Sequence, residues 1–182
     1  GYTGPADAAR LASPLLSVTA DRLRGYREAI AGAGIDPSTV PVFECAHASE
    51  ALGETAAAQL LATAPGDRPT AILAMTDRLA LGALAAARSL GLRVPADLSI
   101  GGFDDIPAAA AARPPLTTVS QPHRLKGYAA ARLLLDGLLG PETPTPATAA
   151  AAGEDRLDLP IELVVRRSTA EPPAGARSRP SR

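Results

Sequence analysis

The sequence predicts an α/β protein in which a parallel sheet is flanked by helices. Short apolar runs typical of strands alternate with longer patterns of helical spacing along the 182 residues. Polar residues close three of these runs: Thr76 and Asp77 follow AILAM, Asp104 and Asp105 follow LSIGGF, and Gln121 follows TTVS. Ligands of open parallel sheets bind beyond the carboxyl ends of the strands, so we expect these residues to line one crevice.

The first helix is predicted from the spacing of its apolar residues. Leu23, Tyr26 and Ile30 recur at intervals of three and four, which places them on one helical face. Thr19 is a candidate cap at the start, and Gly32 or Gly34 is a candidate stop.

The remaining elements are bounded by capping and turn residues in the same way. In chain order we predict a short strand at 40–44, a helix capped by Ser49 that ends before Pro65, a buried strand at 71–75, a helix at 77–90 closed by Gly91, a strand at 98–103, a helix at 125–139 stopped by Gly140 and Pro141, and the strand IELVV. Alternation of this kind favours right-handed crossovers between parallel strands.

Composition points to a protein with one sizeable core and no nucleic-acid surface of its own. The chain is 46% apolar and 20% charged, with a net charge of −1, so it carries no basic excess for phosphate binding. Cys45 is the only cysteine, and we interpret it as a small buried apolar residue. No run reaches the roughly eighteen apolar residues of a membrane helix, and no signal peptide is present, which predicts a cytoplasmic protein. Because the chain opens on Gly1 without a Met, we interpret it as a fragment.

The motifs of common enzymes and metal sites are missing from the sequence. It contains no Walker loop, no G-x-G-x-x-G, no G-x-S-x-G elbow and no Cys/His cluster. The two histidines lie far apart in sequence. We therefore expect no catalytic residues, no cofactor and no metal, which disfavours an α/β enzyme.

Five motifs in order carry a family resemblance. They are RLRGYREAI, PTAILAMTDRLALGAL, GLRVPADLSIGGFDD, PPLTTVSQP and LPIELVVRRST. From about residue 17 to residue 169 the chain resembles the effector-binding core of LacI/GalR (lactose-repressor) transcription regulators. That resemblance implies a periplasmic-binding-protein-like fold of type I, which the family shares with sugar-binding proteins of the periplasm.

The resemblance also implies a domain organisation. A complete family member has two lobes joined by three crossovers, preceded by a helix-turn-helix DNA-binding head. This chain lacks the head and most of the N-terminal lobe, so the two-lobed core is incomplete. We expect a crossover strand and loop at 1–16, the C-terminal lobe at 17–120, a helix of the N-terminal lobe at 121–140, a flexible linker at 141–158, a returning strand at 159–169 and a disordered tail at 170–182.

The resemblance assigns ligand-binding roles to several residues. Arg22, three residues before Gly25, matches the family's ligand-contacting arginine, whose planar fork can span two sugar hydroxyls. Arg24 fits that spacing less well. Asp104 matches the ligand carboxylate, which can accept hydrogen bonds from neighbouring hydroxyls. Gln121 matches a polar ligand residue at a hinge crossing, with a purely structural hinge role equally open.

The resemblance implies two further ligand candidates, of which Thr76 departs from the family pattern. Thr76 stands where the family usually carries Asn, and its shorter hydroxyl can contact a ligand or cap the helix that follows. His123 stands where some repressors place an aromatic ring against the ligand.

The helix predicted at 77–90 is apolar around nearly its whole circumference. A helix of that kind is expected to be buried on two sides, one of them against the sheet. The matching helix of the family packs against a partner subunit, which implies a homodimer interface at Leu81, Leu84 and Arg88. The alternative is an Ala-rich face left exposed.

The sequence thus favours the effector-binding and dimerisation portion of a LacI-type regulator, with repressor as the expected role. Its expected partners are a small effector such as a sugar or related polyol, a second copy of the chain, and operator DNA bound through the absent head. No membrane partner is expected. The alternative is a periplasmic sugar-binding protein of a transport system, which would use the same fold and site.

Overall fold

The structure of the protein, a computed structural model, describes residues 2–7, 9, 11, 17–64, 67–139 and 158–172. In these residues the elements are β1 (Gly4–Pro5), α1 (Ser17–Gly32), a 3-10 turn (Pro37–Thr39), β2 (Phe43–Glu44), α2 (Glu50–Leu61), β3 (Ala71–Leu73), α3 (Asp77–Ser89), β4 (Ser99–Asp104), α4 (Pro107–Ala111), β5 (Thr117–Ser120), α5 (His123–Leu139) and β6 (Glu162–Val164).

A four-stranded sheet in the order β3-β4-β5-β6 forms the centre of the fold. The pairs β3–β4 and β4–β5 are parallel, which confirms the predicted α/β class, whereas β6 returns antiparallel to β5. The two-residue strands β1 and β2 form a separate antiparallel pair. The carboxyl ends of β4 and β5 therefore lie side by side, with Asp104 opposite Ser120.

Local signals in the sequence define the helix ends. The Ser49 hydroxyl accepts a hydrogen bond from the Leu52 amide, so Ser49 caps α2 as predicted. Gly91 follows the end of α3 with a φ of +69°, a left-handed conformation that glycine adopts at little cost. The predicted closure of this helix at Gly91 is thereby confirmed.

The core lies between the sheet and the paired helices α2 and α3. Its largest fully buried apolar side chains are Leu61, Leu98, Ile100 and Leu116. The helices approach each other closely because Gly53 and Gly82 lack side chains. A Cβ at Gly82 would overlap the backbone of Glu50, and one at Gly53 would overlap the backbone of Leu79.

The structure corrects the prediction that residues 71–75 form a buried strand. Ala71 and Leu73 are exposed, Leu73 by 57%. The physical reason is that β3 is an edge strand among the described residues and has a hydrogen-bonded neighbour on one side only. An apolar run thus identified the strand correctly but not its place in the sheet.

The segment after β6 is tied to the sheet by Ser168, which is fully buried. The Ser168 carbonyl accepts from the Ile100 amide at 2.8 Å, and its hydroxyl donates to the Ile100 carbonyl at 2.6 Å. The same hydroxyl accepts from the Thr117 amide at 2.8 Å. These contacts to β4 and β5 place the preceding residue pair, Arg166 and Arg167, beside the central strands.

Nearly all of the predicted linker at 141–158, and the tail beyond residue 172, lie outside the described residues. Within the part of the chain that the structure describes, no helix is long and apolar enough to cross a membrane.

Candidate ligand-binding site

Four of the five predicted ligand residues belong to one connected group around the carboxyl end of β4. Asp104 is the last residue of β4, and Gln121 and His123 follow β5. Arg22 reaches this point from α1. The topology of two parallel strands and the helix facing them therefore brings together residues that lie up to 101 positions apart.

Arg22 is held in place by three neighbours. Its Nη1 donates to the Met75 carbonyl at 2.6 Å, and its guanidinium lies 3.6 Å from the centroid of the Phe103 ring. Its Nη2 lies 3.9 Å from Asp104 Oδ1, and the side chain is 19% exposed. Arg24, by contrast, is 70% exposed and pairs with Asp21 on the surface. The geometry favours Arg22 over Arg24 as the arginine of this site.

Asp104 is the centre of a chain of polar contacts. Gln121 Nε2 donates to Asp104 Oδ1 at 2.6 Å, and Lys126 Nζ donates to Gln121 Oε1 at 2.7 Å. His123 Nε2 lies 2.8 Å from the Asp104 carbonyl oxygen. The Gln121 side chain therefore bonds two other side chains, while its backbone carbonyl accepts from the His123 amide at 2.8 Å, so the ligand role and the hinge role both stay predictions.

The neighbouring carboxylates of Asp104 and Asp105 face different partners. Asp104 faces Arg22 and Gln121, while Asp105 Oδ1 accepts from Arg166 Nη2 at 2.6 Å. Both residues have positive φ, 114° for Asp104 and 57° for Asp105. The two carboxylates are similarly exposed, 24% for Asp104 and 22% for Asp105, but the backbone turn directs them to different partners.

Asp77 does not line the crevice, which corrects the prediction made from its position after a strand. Its side chain is fully buried, and its Oδ2 accepts from the Ile106 amide at 2.9 Å. The other oxygen accepts from the Thr118 hydroxyl. Burial raises the pKa of Asp77 above its ordinary value, although these hydrogen bonds act in the opposite direction.

The remaining candidate, Thr76, acts as the N-cap of α3. Its hydroxyl accepts from the Leu79 amide at 3.4 Å, while its neighbour Met75 supplies the carbonyl that holds Arg22. Capping was one of the two roles open from the sequence. The other, contact with a ligand, stays a prediction because one hydroxyl can accept more than one hydrogen bond.

Sequence reasoning missed three residues of the site: Tyr26, Phe103 and Lys126. Burial raises the pKa of Tyr26, with smaller opposing effects from Arg22, which lowers it, and Asp104, which raises it. Phe103 was visible as the residue before Asp104, but its stacking with Arg22 depends on where α1 packs. Lys126 meets Gln121 only because α5 begins between them.

The three residues predicted at the dimer interface differ in how far their side chains are buried. Leu84 lies inside the core, so its side chain is not free to face a partner. Leu81 is half-buried at the edge of the core, and Arg88 is exposed. An interface on α3 would therefore use Leu81 and Arg88.

A separate apolar cleft of about 490 Å³ runs beside the outer edge of β3. Its walls come from α1, β2, α2 and β3, and they include Tyr26, Phe43 and Ile72. None of the predicted ligand residues lines it. The polar group around Asp104 therefore adjoins this cleft, at Tyr26 and Met75, without its predicted ligand residues lining the cleft.

The polar group has the chemistry to bind neighbouring hydroxyls. Arg22 and Lys126 supply donors, Asp104 supplies acceptors, and Gln121 supplies both. A hydroxyl both donates and accepts, so a polyol can bridge these groups at once. Among the described residues, no three His, Cys, Asp or Glu side chains are grouped as a metal would require.

Residues 9–169 match the family model of the periplasmic binding protein-like domain. The chain belongs to this family, in agreement with the sheet topology. Its curated relatives are HTH-type transcriptional regulators, and similar solved structures are LacI-family regulators, so the resemblance to the LacI effector-binding core is confirmed.

Two curated relatives show the extent of the similarity. The HTH-type transcriptional regulator CelR of Thermobifida fusca is 38% identical over 169 residues, covering 91% of this chain and 46% of CelR. The HTH-type transcriptional regulator IpsA of Corynebacterium glutamicum is 44% identical over 126 residues, covering 69% of this chain and 34% of IpsA. The chain thus spans less than half the length of these relatives.

Solved structures of similar fold also come from transcriptional regulators. A LacI-family transcriptional regulator from Corynebacterium glutamicum superposes with a TM-score of 0.79 at 35% identity, covering 93% of this chain and 46% of that one. A LacI-family regulator from Lactobacillus casei with bound sucrose has a TM-score of 0.70 at 26% identity, covering 83% of this chain and 51% of that one. These relatives favour a regulator over a transport protein.

Proposed function

We propose that the intact protein is a LacI-type transcription regulator, acting as a repressor, and that this chain is its effector-binding and dimerisation portion. DNA binding then belongs to a head outside this chain, consistent with the net charge of −1 here. The effector is a small polyhydroxylated molecule such as a sugar. The sucrose-bound relative supports that ligand class.

The single observation that carries the proposal is the contact group of Arg22, Asp104 and Gln121 at the carboxyl end of β4. The three side chains come from separate parts of the chain: Gln121 Nε2 donates to Asp104 Oδ1 at 2.6 Å, and Arg22 Nη2 lies 3.9 Å from the same oxygen. A sugar hydroxyl would accept from Arg22 and donate to Asp104. Lys126, already bonded to Gln121, has further N–H groups for the same ligand.

The proposed mechanism is a shift between two lobe arrangements. A ligand that bridges both lobes stabilises one arrangement, and only its difference in affinity for the two states moves the equilibrium. In a homodimer formed through α3, with Leu81 and Arg88 at the interface, that shift changes the spacing of two DNA-binding heads on a two-fold symmetric operator. The protein acts in the cytoplasm by binding and not by catalysis.

The proposed lobe division is supported by α5. Leu125, Tyr128, Leu134 and Leu138 on this helix are exposed. Leu134 and Leu138 lie one helical turn apart, so they form an apolar patch of the kind that marks an interaction surface. It fits a helix that belongs to a second lobe, as proposed for residues 121–140.

The test is operator binding by the intact protein, measured by fluorescence anisotropy with labelled DNA from the region upstream of the protein's own gene. A panel of sugars that includes glucose and sucrose, together with nucleosides, is then added at increasing concentration. We expect at least one sugar to change the affinity for DNA. The Asp104→Gly variant, which removes the carboxylate but tolerates the positive φ, should bind DNA equally and lose the response.

Two results would argue against the proposal. One is specific operator binding by residues 1–182 alone, since the proposal assigns DNA contacts to a separate head. The other is a sugar response that survives in Asp104→Gly. A response to a nucleoside and to no sugar would keep the regulator but reject the ligand class.

A further inference from the structure

The starting point is the backbone turn that ends β4. Asp104 and Asp105 have φ of 114° and 57°, a region that residues other than glycine rarely adopt. Such a turn persists only when its surroundings hold it in place. Two sets of contacts hold it, one on Asp105 and one on the next residue, Ile106.

Arg166 supplies the first set from the segment that follows β6. Its Nη2 donates to Asp105 Oδ1 at 2.6 Å and its Nη1 donates to the Leu116 carbonyl at 2.8 Å. Its own amide donates to the Thr117 hydroxyl at 2.9 Å. The side chain is 19% exposed, so both ends of this arginine are fixed and largely shielded from water.

Asp77 supplies the second set from the start of α3. Its buried carboxylate accepts from the Ile106 amide at 2.9 Å and from the Thr118 hydroxyl. It lies directly against β4, because a Cβ added at Gly102 would overlap Asp77 Oδ1. The residue after the turn is therefore anchored to α3 and β5 together.

We propose that Arg166 and Asp77 are positioning residues of the ligand site. They hold the turn so that the Asp104 carboxylate faces Arg22 and Gln121, and neither of them touches the ligand. Through Asp105, Arg166 thereby links the Asp104 carboxylate to the segment that returns after β6. This inference rests on the proposed ligand site at Asp104.

The main test is a double-mutant cycle in the intact protein. The probe is glucose or sucrose, whichever of the two sugars binds the parent protein more tightly. Arg166→Met should weaken binding roughly 5- to 30-fold, because the Asp104 carboxylate loses its fixed position. In an Asp104→Gly background the same change should weaken binding no further. A residue with a merely structural role would weaken binding equally in both backgrounds.

Arg166→Lys and Arg93→Met complete the set of variants. Lysine keeps the charge without the two-pronged fork, so Arg166→Lys should recover part of the lost affinity. Arg93 pairs with Asp97 at the same 2.6 Å, but this pair is on the surface away from the turn. Arg93→Met should leave the affinity unchanged.

A measurement without ligand gives an independent answer. Amide hydrogen exchange at Ile106 should be about tenfold faster in Arg166→Met than in the parent protein, and unchanged in Arg93→Met. Unchanged exchange, or equal affinity losses in both backgrounds, would overturn the inference. If Asp104→Gly alone leaves the affinity intact, the proposed ligand site is rejected, while exchange at Ile106 still decides whether Arg166 holds the turn.

Discussion

Two aspartates of this chain have opposite shifts in acidity, and each shift has an identifiable cause. The pKa of Asp97 is lowered from 3.8 to about 2, first by the hydrogen bond from the Arg93 side chain and then by that from the Arg93 amide. The pKa of Asp77 is raised, chiefly by burial. The first effect arises in a surface ion pair, and the second arises beneath the candidate site.

A titration of carboxyl carbons by NMR checks these assignments. Asp97 should titrate near pH 2, and Arg93→Met should return it towards 3.8. Because its pKa is lower folded than unfolded, its contribution to stability is present above 3.8 and is lost as the pH falls towards 2. Asp77 should titrate above 3.8, so its contribution is present in full below 3.8 and falls as the pH rises. Asp97 and Asp77 titrating together would contradict the structure.

Substitutions of Thr76 distinguish its role as a helix cap from a role in ligand binding. Thr76→Asn keeps a good N-cap, so the melting temperature should hardly change, whereas Thr76→Ala should cost about 0.5–2 kcal/mol. If Thr76 also contacts the ligand, the planar amide of Asn will change the relative affinities across a sugar panel in the intact protein. Calorimetry that finds the same relative affinities in Thr76→Asn would leave Thr76 with the cap alone.

Individual residues show how much of the candidate site could be predicted from the sequence. Arg22 and Asp104 could be chosen because each lies in a recognisable motif. Arg166 could not be told from Arg167, since only the three-dimensional path after β6 brings it to Asp105. Asp77 follows a strand just as Asp104 does, but the start of α3 directs it inward instead of into the crevice.

At the scale of elements, the contact between α2 and α3 depends on glycine. Gly82→Ala should destabilise the protein by about 1–3 kcal/mol, because its Cβ would overlap the Glu50 backbone and force the helices apart. Gly127→Ala in α5 is the matched control, since nothing lies within 4 Å of its added Cβ. That change should be neutral or stabilising by up to about 1 kcal/mol. Equal effects in thermal melts would contradict the close helix contact.

The exposed face of α5 has a measurable consequence for residues 1–182 in isolation. Leu134 and Leu138 are 64% and 72% exposed, so the chain should bind a hydrophobic dye and self-associate. Replacing both with Lys should reduce dye binding. Leu90→Lys, at an exposed leucine outside α5, should not. A monodisperse parent chain that binds no dye would show that α5 is covered in some other way.

Helices were easier to predict than strands for a physical reason. Caps such as Ser49 and stops such as Gly91 act locally, so their sequence signal needs no knowledge of the fold. The exposure of β3 and the two-residue length of β2 depend on which strands pair, and pairing is a long-range property. The run at 71–75 looked buried because apolar composition does not record whether a neighbouring strand is present.

At the scale of the whole molecule, the described residues form one side of a proposed two-lobed binding site. The sheet brings Asp104 beside Gln121, α1 adds Arg22, and the start of α5 adds Lys126. Because α5 bonds this group through Lys126, and the segment after β6 holds the adjacent Asp105, we expect movement between the proposed lobes to shift the Asp104 carboxylate. The central claim is therefore that Arg22 and Asp104 together bind the effector.

Calorimetric titration of the intact protein, with the sugar that most changes operator binding, tests that claim most directly. Arg22→Ala and Asp104→Gly should each leave a polar group without its partner, costing roughly 1–3 kcal/mol or about one to two decades in affinity. Arg24→Ala, on the exposed face of α1, should bind like the parent. If Arg22→Ala and Asp104→Gly also bind as tightly as the parent, the site lies elsewhere.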